Sequence, residues 1–93
     1  MKHMNLADVL AMMDDPTVGP VCDCYFFVGS IRVEVEYDDD EDEQWRGWWY
    51  TLYTPGNYDA DAKLDADGPY QWVDAVDEGI YSARRHDGAR LVN

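Results

Sequence analysis

Metal ligation is the first chemistry this sequence invites. In "KLDADGPYQWVD", Lys63–Asp74, the residues Asp65, Asp67, Gly68 and Asp74 fall at the positions that an EF-hand calcium loop would fill. The segment departs from that pattern where Lys63 replaces the first Asp, and where Asp74 replaces the longer bidentate Glu at the last position. No clear helix precedes it, so it reads as a solvated loop leading into a helix. Cys22 and Cys24 stand two apart. A zinc site would need further ligands, and a disulfide between them would close a tight, strained ring. They read as two small buried residues in a reducing compartment. His3 and His86 have no serine or cysteine nucleophile in a recognisable setting, and there is no glycine-rich phosphate loop. Carboxylates are so numerous that no pair is singled out for acid–base work. The expectation is therefore no enzyme, no metal and no cofactor.

Charge is the sharper signal. Twenty acids face seven Lys and Arg, a net charge of −13. Residues 1–83 hold nineteen acids against four bases, while Arg84, Arg85 and Arg90 face only Asp87 in the remainder. Such a field excludes direct binding to nucleic acid or an anionic membrane, which needs a basic patch, and it speeds association with a basic partner. The apolar fraction, 46%, is high enough to build a core despite the charge. No apolar run approaches the roughly 20 residues of a membrane span, and "LADVLAMM" is too short and too acidic for a signal-peptide core. A cytoplasmic protein of a bacterial or archaeal host cell is expected.

The densest acids, Asp38–Glu43, stand one residue before three tryptophans and a tyrosine in "YDDDEDEQWRGWWY", Tyr37–Tyr50. The surrounding elements must place them. A short helix over about 6–13 is expected, capped by Asn5, with Leu6, Val9, Leu10 and Met13 as its apolar face and Pro16 as its stop. "VCDCYFFVGSIRVEVEY" reads as a β-hairpin with a type II′ turn at Gly29-Ser30. That turn pairs Val28 with Ile31, Phe26 with Val33, Cys24 with Val35 and Cys22 with Tyr37, and all eight are assigned to the core. Asp23, Tyr25, Phe27, Arg32, Glu34 and Glu36 then face out, since a slip by one residue would bury Glu34 and Glu36. The acid run forms a loop or frayed strand end. Trp45 to Thr54 forms a third strand, in which Trp48, Tyr50 and Leu52 compete with Trp45, Trp49 and Tyr53 for the interior. Residues 57–68 read as a loop with room for a short strand near Lys63-Leu64. Pro69 opens a longer helix, with Asp67 or Gly68 as its cap, a break available at Gly79 and a C-cap at Gly88. "ARLVN" is a tail or short edge strand. The expected fold is thus α+β in one domain over 1–93: a short N-terminal helix, a three-stranded antiparallel β-meander, an acidic loop, and a C-terminal helix packed on one sheet face.

Residues two apart on a strand are roughly 6.6 Å apart, on the order of the phosphate spacing along a nucleic-acid strand. Asp23, Glu34 and Glu36, extended by Asp38, Asp39, Asp40, Glu41, Asp42 and Glu43 and by Asp59, Asp61, Asp65 and Asp67, can imitate a phosphate backbone. Tyr25, Phe27 and Trp45 supply the aromatic anchors that charge alone does not. In size, charge and aromatic content the chain resembles small acidic phage inhibitors, the anti-CRISPR and anti-restriction proteins that mimic DNA. It is also similar in these respects to bacterial immunity proteins that block basic nuclease toxins. Either resemblance implies a basic nucleic-acid-binding protein or complex as partner, with no nucleic acid or membrane bound directly. A salt-adapted acidic surface, or a calcium-dependent module, is the competing expectation.

Overall fold

A computed structural model describes residues 1–15, 22–57 and 62–92. In chain order the elements are β1 (Lys2–His3), α1 (Leu6–Asp14), β2 (Cys24–Val28), β3 (Ile31–Asp38), β4 (Gly47–Tyr53), β5 (Asp65–Tyr70) and α2 (Trp72–Val92). The fold is α+β. One mixed sheet runs in the order β1-β2-β3-β4-β5, with β1 parallel to β2 and every other pair antiparallel. The expected meander is β2–β3–β4, and the sheet has five strands rather than three. Both added strands lack the signals that mark a strand. β1 is two exposed residues joined through backbone, with Lys2 N–H donating to Asp23 O and Met4 N–H to Tyr25 O. β5 is "DADGPY", made of residue types depleted in sheets, yet it pairs along β4 with a register shift between Trp48 and Tyr50.

The hairpin has the expected register. Val28 lies opposite Ile31, Phe26 opposite Val33 and Cys24 opposite Val35. Gly29 takes φ +58°, which glycine adopts without strain, while the φ of Ser30 is not positive, as a type II′ turn requires. The pairing stops at Cys24. Tyr37 does not face Cys22 in the core: its N–H donates to Asp23 Oδ1 at 3.0 Å, and its ring is 46% exposed, 5.3 Å from Trp48. Cys22 packs half-buried at the core margin.

Alternation puts Tyr50 and Leu52 inside with Trp48 at the margin, and Trp49 on the other face. Strand β4 begins at Gly47, so Trp45 precedes it. The core face of the sheet meets Trp72, Ala75, Val76, Ile80 and Ala83 of α2 and Val9 and Met12 of α1. Burial of each large side chain there contributes about 1.5–3 kcal/mol.

In α1, Asn5 Oδ1 accepts from Asp8 N–H at 2.9 Å, as its cap position implies. The apolar stripe is rotated from the expected one: Val9 and Met12 are buried, Leu6 and Met13 are half-buried, and Leu10 is 40% exposed. Pro16, Asp59 and Asp61 lie outside the described residues.

Helix α2 starts at Trp72, not at Pro69, because Gly68 and Pro69 belong to β5. It continues through Gly79 and Gly88 to Val92, so neither glycine ends it, and "ARLV" is helical. At Gly79 a Cβ would lie 3.1 Å from Val33 Cγ1 and 3.2 Å from Tyr50 Cβ. The helix crosses the sheet there at close range. Contact with the sheet offsets the roughly 1 kcal/mol of helix propensity that glycine gives up relative to alanine.

Candidate partner-binding face

Both helices bury their apolar sides on one face of the sheet. The period-two alternation of strands therefore sends Tyr25 and Phe27 of β2, Arg32, Glu34 and Glu36 of β3, and Trp49 and Thr51 of β4 to the opposite face. No helix among the described residues covers it.

At the β1 edge His3 stacks on Tyr25 with centroids 4.9 Å apart, and Phe27 meets both rings edge-on. The Arg32 guanidinium stands 3.7 Å from the centre of the Tyr25 ring, and its Nε donates to Glu34 Oε2 at 2.8 Å. The two charged side chains retain 17% and 12% exposure. Glu34 thus faces away from the core, as its register demands, but it is half-buried and already paired rather than open to solvent.

Glu36 is different. It lies directly opposite Trp49 and is exposed, and it makes no ion pair among the described residues. Its carboxyl is held above the ordinary glutamate value. Desolvation is the main cause, then the negative charges of Glu34 and Asp23, against a partial opposing pull from the amino terminus. Glu36, Tyr37, Asp38, Asp39, Trp49 and Thr51 line an open cleft of about 390 Å³. The Trp49 indole N–H donates to Trp45 O at 3.2 Å and its ring stacks on Trp45 at 6.4 Å. Trp49 can lie flat because residue 68 is glycine: a Cβ there would approach Trp49 Cδ2 to 2.5 Å. Trp45 itself is 48% exposed.

The acid run is an internally bonded loop rather than a frayed strand end. Asp38 closes β3 opposite Gly47. Asp40 Oδ1 then accepts from Asp42 N–H, and the Asp42 carboxylate from both the backbone and side-chain N–H of Gln44. Arg46 reaches back across the loop, donating from Nε to Asp40 O at 2.8 Å and from Nη2 to Glu41 O at 3.1 Å. The carboxylates of Glu41 and Glu43 remain outside this bonding and point into solvent.

Of the residues singled out from sequence, Glu36, Asp38 and Asp39 meet at the cleft, and Asp40, Glu41, Asp42, Glu43 and Trp45 continue from it. Asp23 borders Glu36 and spends one oxygen on Tyr37. Tyr25 and Phe27 form a separate aromatic cluster beyond the Arg32–Glu34 pair. Sequence reasoning placed Arg32 on this face but not its pairing with Glu34, and it missed Trp49 and Thr51 as members of the face and Tyr37 as part of the cleft lining. The missing signal was the β3–β4 register, which depends on the length of the intervening loop.

The EF-hand segment does not form a loop. Asp65, Asp67 and Gly68 lie in β5. Asp65 Oδ2 accepts from Ser82 Oγ at 2.7 Å and Asp67 Oδ2 from Tyr70 Oη at 2.6 Å. These carboxylates are occupied by protein donors. No three His, Cys, Asp or Glu among the described residues are grouped to hold a metal. Cys22 and Cys24 are free thiols, and burial pushes the Cys24 thiol up to about 11, far from the reactive thiolate. No helix among the described residues is long and apolar enough to cross a membrane. Comparison with protein-family models, with curated proteins and with solved structures finds no match.

Proposed function

We propose that this chain is a non-enzymatic acidic inhibitor that occupies the nucleic-acid groove of a basic protein or complex, in the manner of phage anti-CRISPR and anti-restriction proteins. The observation that carries the reading is the sheet face that no helix among the described residues covers, with its aromatic residues, continuous with an acid loop that Arg46 and Asp42 hold in shape. A pre-shaped row of charge loses less conformational freedom on docking than a floppy one, and the neighbouring rings supply contact that persists when charge is screened. The setting is the cytoplasm of a bacterial or archaeal host, where such targets work.

The test is displacement of a fluorescent DNA duplex from purified CRISPR effectors and restriction endonucleases, followed by anisotropy. Release of the duplex at near-stoichiometric protein, with faster association at low ionic strength, is the expected result. Absence of displacement across these targets, together with a melting temperature that climbs steeply into molar salt, would instead make the acids a salt adaptation. Displacement confined to a nuclease toxin would assign the chain to immunity.

A further inference from the structure

We propose that the cleft between the end of β3 and Trp49 receives an arginine side chain of the partner, its guanidinium beside the Trp49 ring and paired with Glu36. This rests on the reading that the partner is basic, and it specifies which cation is recognised and where.

The sheet carries the same arrangement twice. In the first instance, Glu34 and the Tyr25 ring hold the chain's own Arg32, at 2.8 Å from the carboxylate and 3.7 Å from the ring centre. In the second, two residues along β3 on the same face, Glu36 stands opposite the larger Trp49 ring. No cation of the described residues pairs with it there. Asp38 and Asp39 extend the carboxylate wall, and the cleft's volume of about 390 Å³ admits a guanidinium with its stem.

The occupant follows from charge. A second copy would bring a further −13 against this face, and like charges across an interface oppose association. Guanidinium is favoured over ammonium for three reasons. It is planar and stacks on an indole, it forms two parallel hydrogen bonds to one carboxylate, and it is less strongly hydrated. Pairing also relieves the Glu36 carboxyl, which is crowded by Glu34 and Asp23.

The experiment titrates the full chain, labelled with ¹⁵N, with hexa-arginine and hexalysine peptides of equal charge at low ionic strength. The readouts are calorimetric affinity and the Trp49 indole N–H resonance. Hexa-arginine is expected to bind about tenfold more tightly and to shift that resonance. Glu36→Gln should erase the preference, whereas Glu78→Gln, which removes an equal charge from α2, should keep it. Melting curves check that both variants fold. Equal affinities for the two peptides, or identical behaviour of the two variants, overturns the arginine site while leaving the basic-partner reading intact. If neither peptide binds, both ideas fall together.

Discussion

Asp87 Oδ1 accepts two hydrogen bonds from Ser30, one from its hydroxyl at 2.5 Å and one from its backbone N–H at 3.1 Å. The far end of α2 is thereby fastened to the β2–β3 turn, and the helix crosses the sheet from β5 to the opposite hairpin tip. Asp87→Ala removes a partly buried charged acceptor and leaves the turn's donors to find water. A loss of about 1–3 kcal/mol in urea unfolding is expected. Unchanged stability would mean that packing alone holds the helix end.

Helix and sheet approach closely at Gly79. Gly79→Leu forces a branched side chain between Val33 and Tyr50. It should destabilise by about 1–3 kcal/mol or more through overpacking, although leucine is the better helix former. Thermal unfolding by circular dichroism reads the sign. A stabilised variant would show that the helix can lift off the sheet without cost.

Glu34 and Glu36, two residues apart on one face, should separate by phenotype. Glu34→Gln breaks the pair with half-buried Arg32 and should cost stability with little effect on binding of hexa-arginine. Glu36→Gln should cost binding, chiefly through faster dissociation, and leave the fold intact. Stopped-flow kinetics and urea melts on both variants check this; the reverse pattern would place the contact at Glu34.

The raised carboxyl of Glu36 sets a pH dependence. Its charged form is disfavoured in the folded state, so its favourable contribution is complete below the unfolded value of about 4.3 and fades as pH rises through the higher folded value. Glu36→Gln should therefore match the parent in acid and exceed it at neutral pH, by about 0.2–1 kcal/mol given solvent screening. The charges acting on Glu36 are Glu34 on its own strand, Asp23 before β2 and the amino terminus. Asp38 and Asp39 share its cleft, and facing Trp49 and Thr51 carry no charge. Binding of hexa-arginine should weaken as pH falls through the folded value, and the Gln variant should lack that step. A parallel pH profile in both proteins would remove Glu36 from the contact.

Arg46 holds the acid loop by two backbone carbonyls. Arg46→Met makes the chain more negative, which by charge alone should favour a basic ligand. If loop shape matters, affinity should nevertheless fall severalfold, and the heteronuclear NOE of residues 40–45 should drop. Tighter binding by this variant would show that net charge outweighs arrangement.

Much of the hairpin was legible because three independent constraints agreed: the Gly29-Ser30 turn, the alternation from Cys24 to Val35, and the cost of burying Glu34. The helix cap at Asn5 was legible for a similar local reason. β5 was not, since Asp65, Asp67, Gly68 and Pro69 are residues of turns and caps, and only pairing with β4 and the Ser82 hydroxyl make them a strand. The interior of β4 could not be chosen from alternation alone, because both faces are aromatic; Gly79 opposite Tyr50 decides it in space. The half-buried state of Glu34 depended on Arg32 folding back over Tyr25, a rotamer choice that no sequence pattern encodes. The acid run reads from sequence as a loop or frayed strand end, and it is a loop; what sequence does not show is that Arg46 and the Asx-type bonds of Asp40 and Asp42 draw it together.

The described helices cover one side of the sheet, and in β3 this divides successive codons between two faces. Ile31, Val33 and Val35 answer to the interior; Arg32, Glu34 and Glu36 answer to whatever approaches from outside. Of these even positions Glu36 alone lies outside the Arg32–Glu34 pair, so substitutions at Glu36 leave the fold undisturbed while those at Arg32 and Glu34 do not. A single inserted codon within β3 would exchange the two sets at one stroke. The gene should thus tolerate drift at Glu36 and reject a shift in the spacing of this strand.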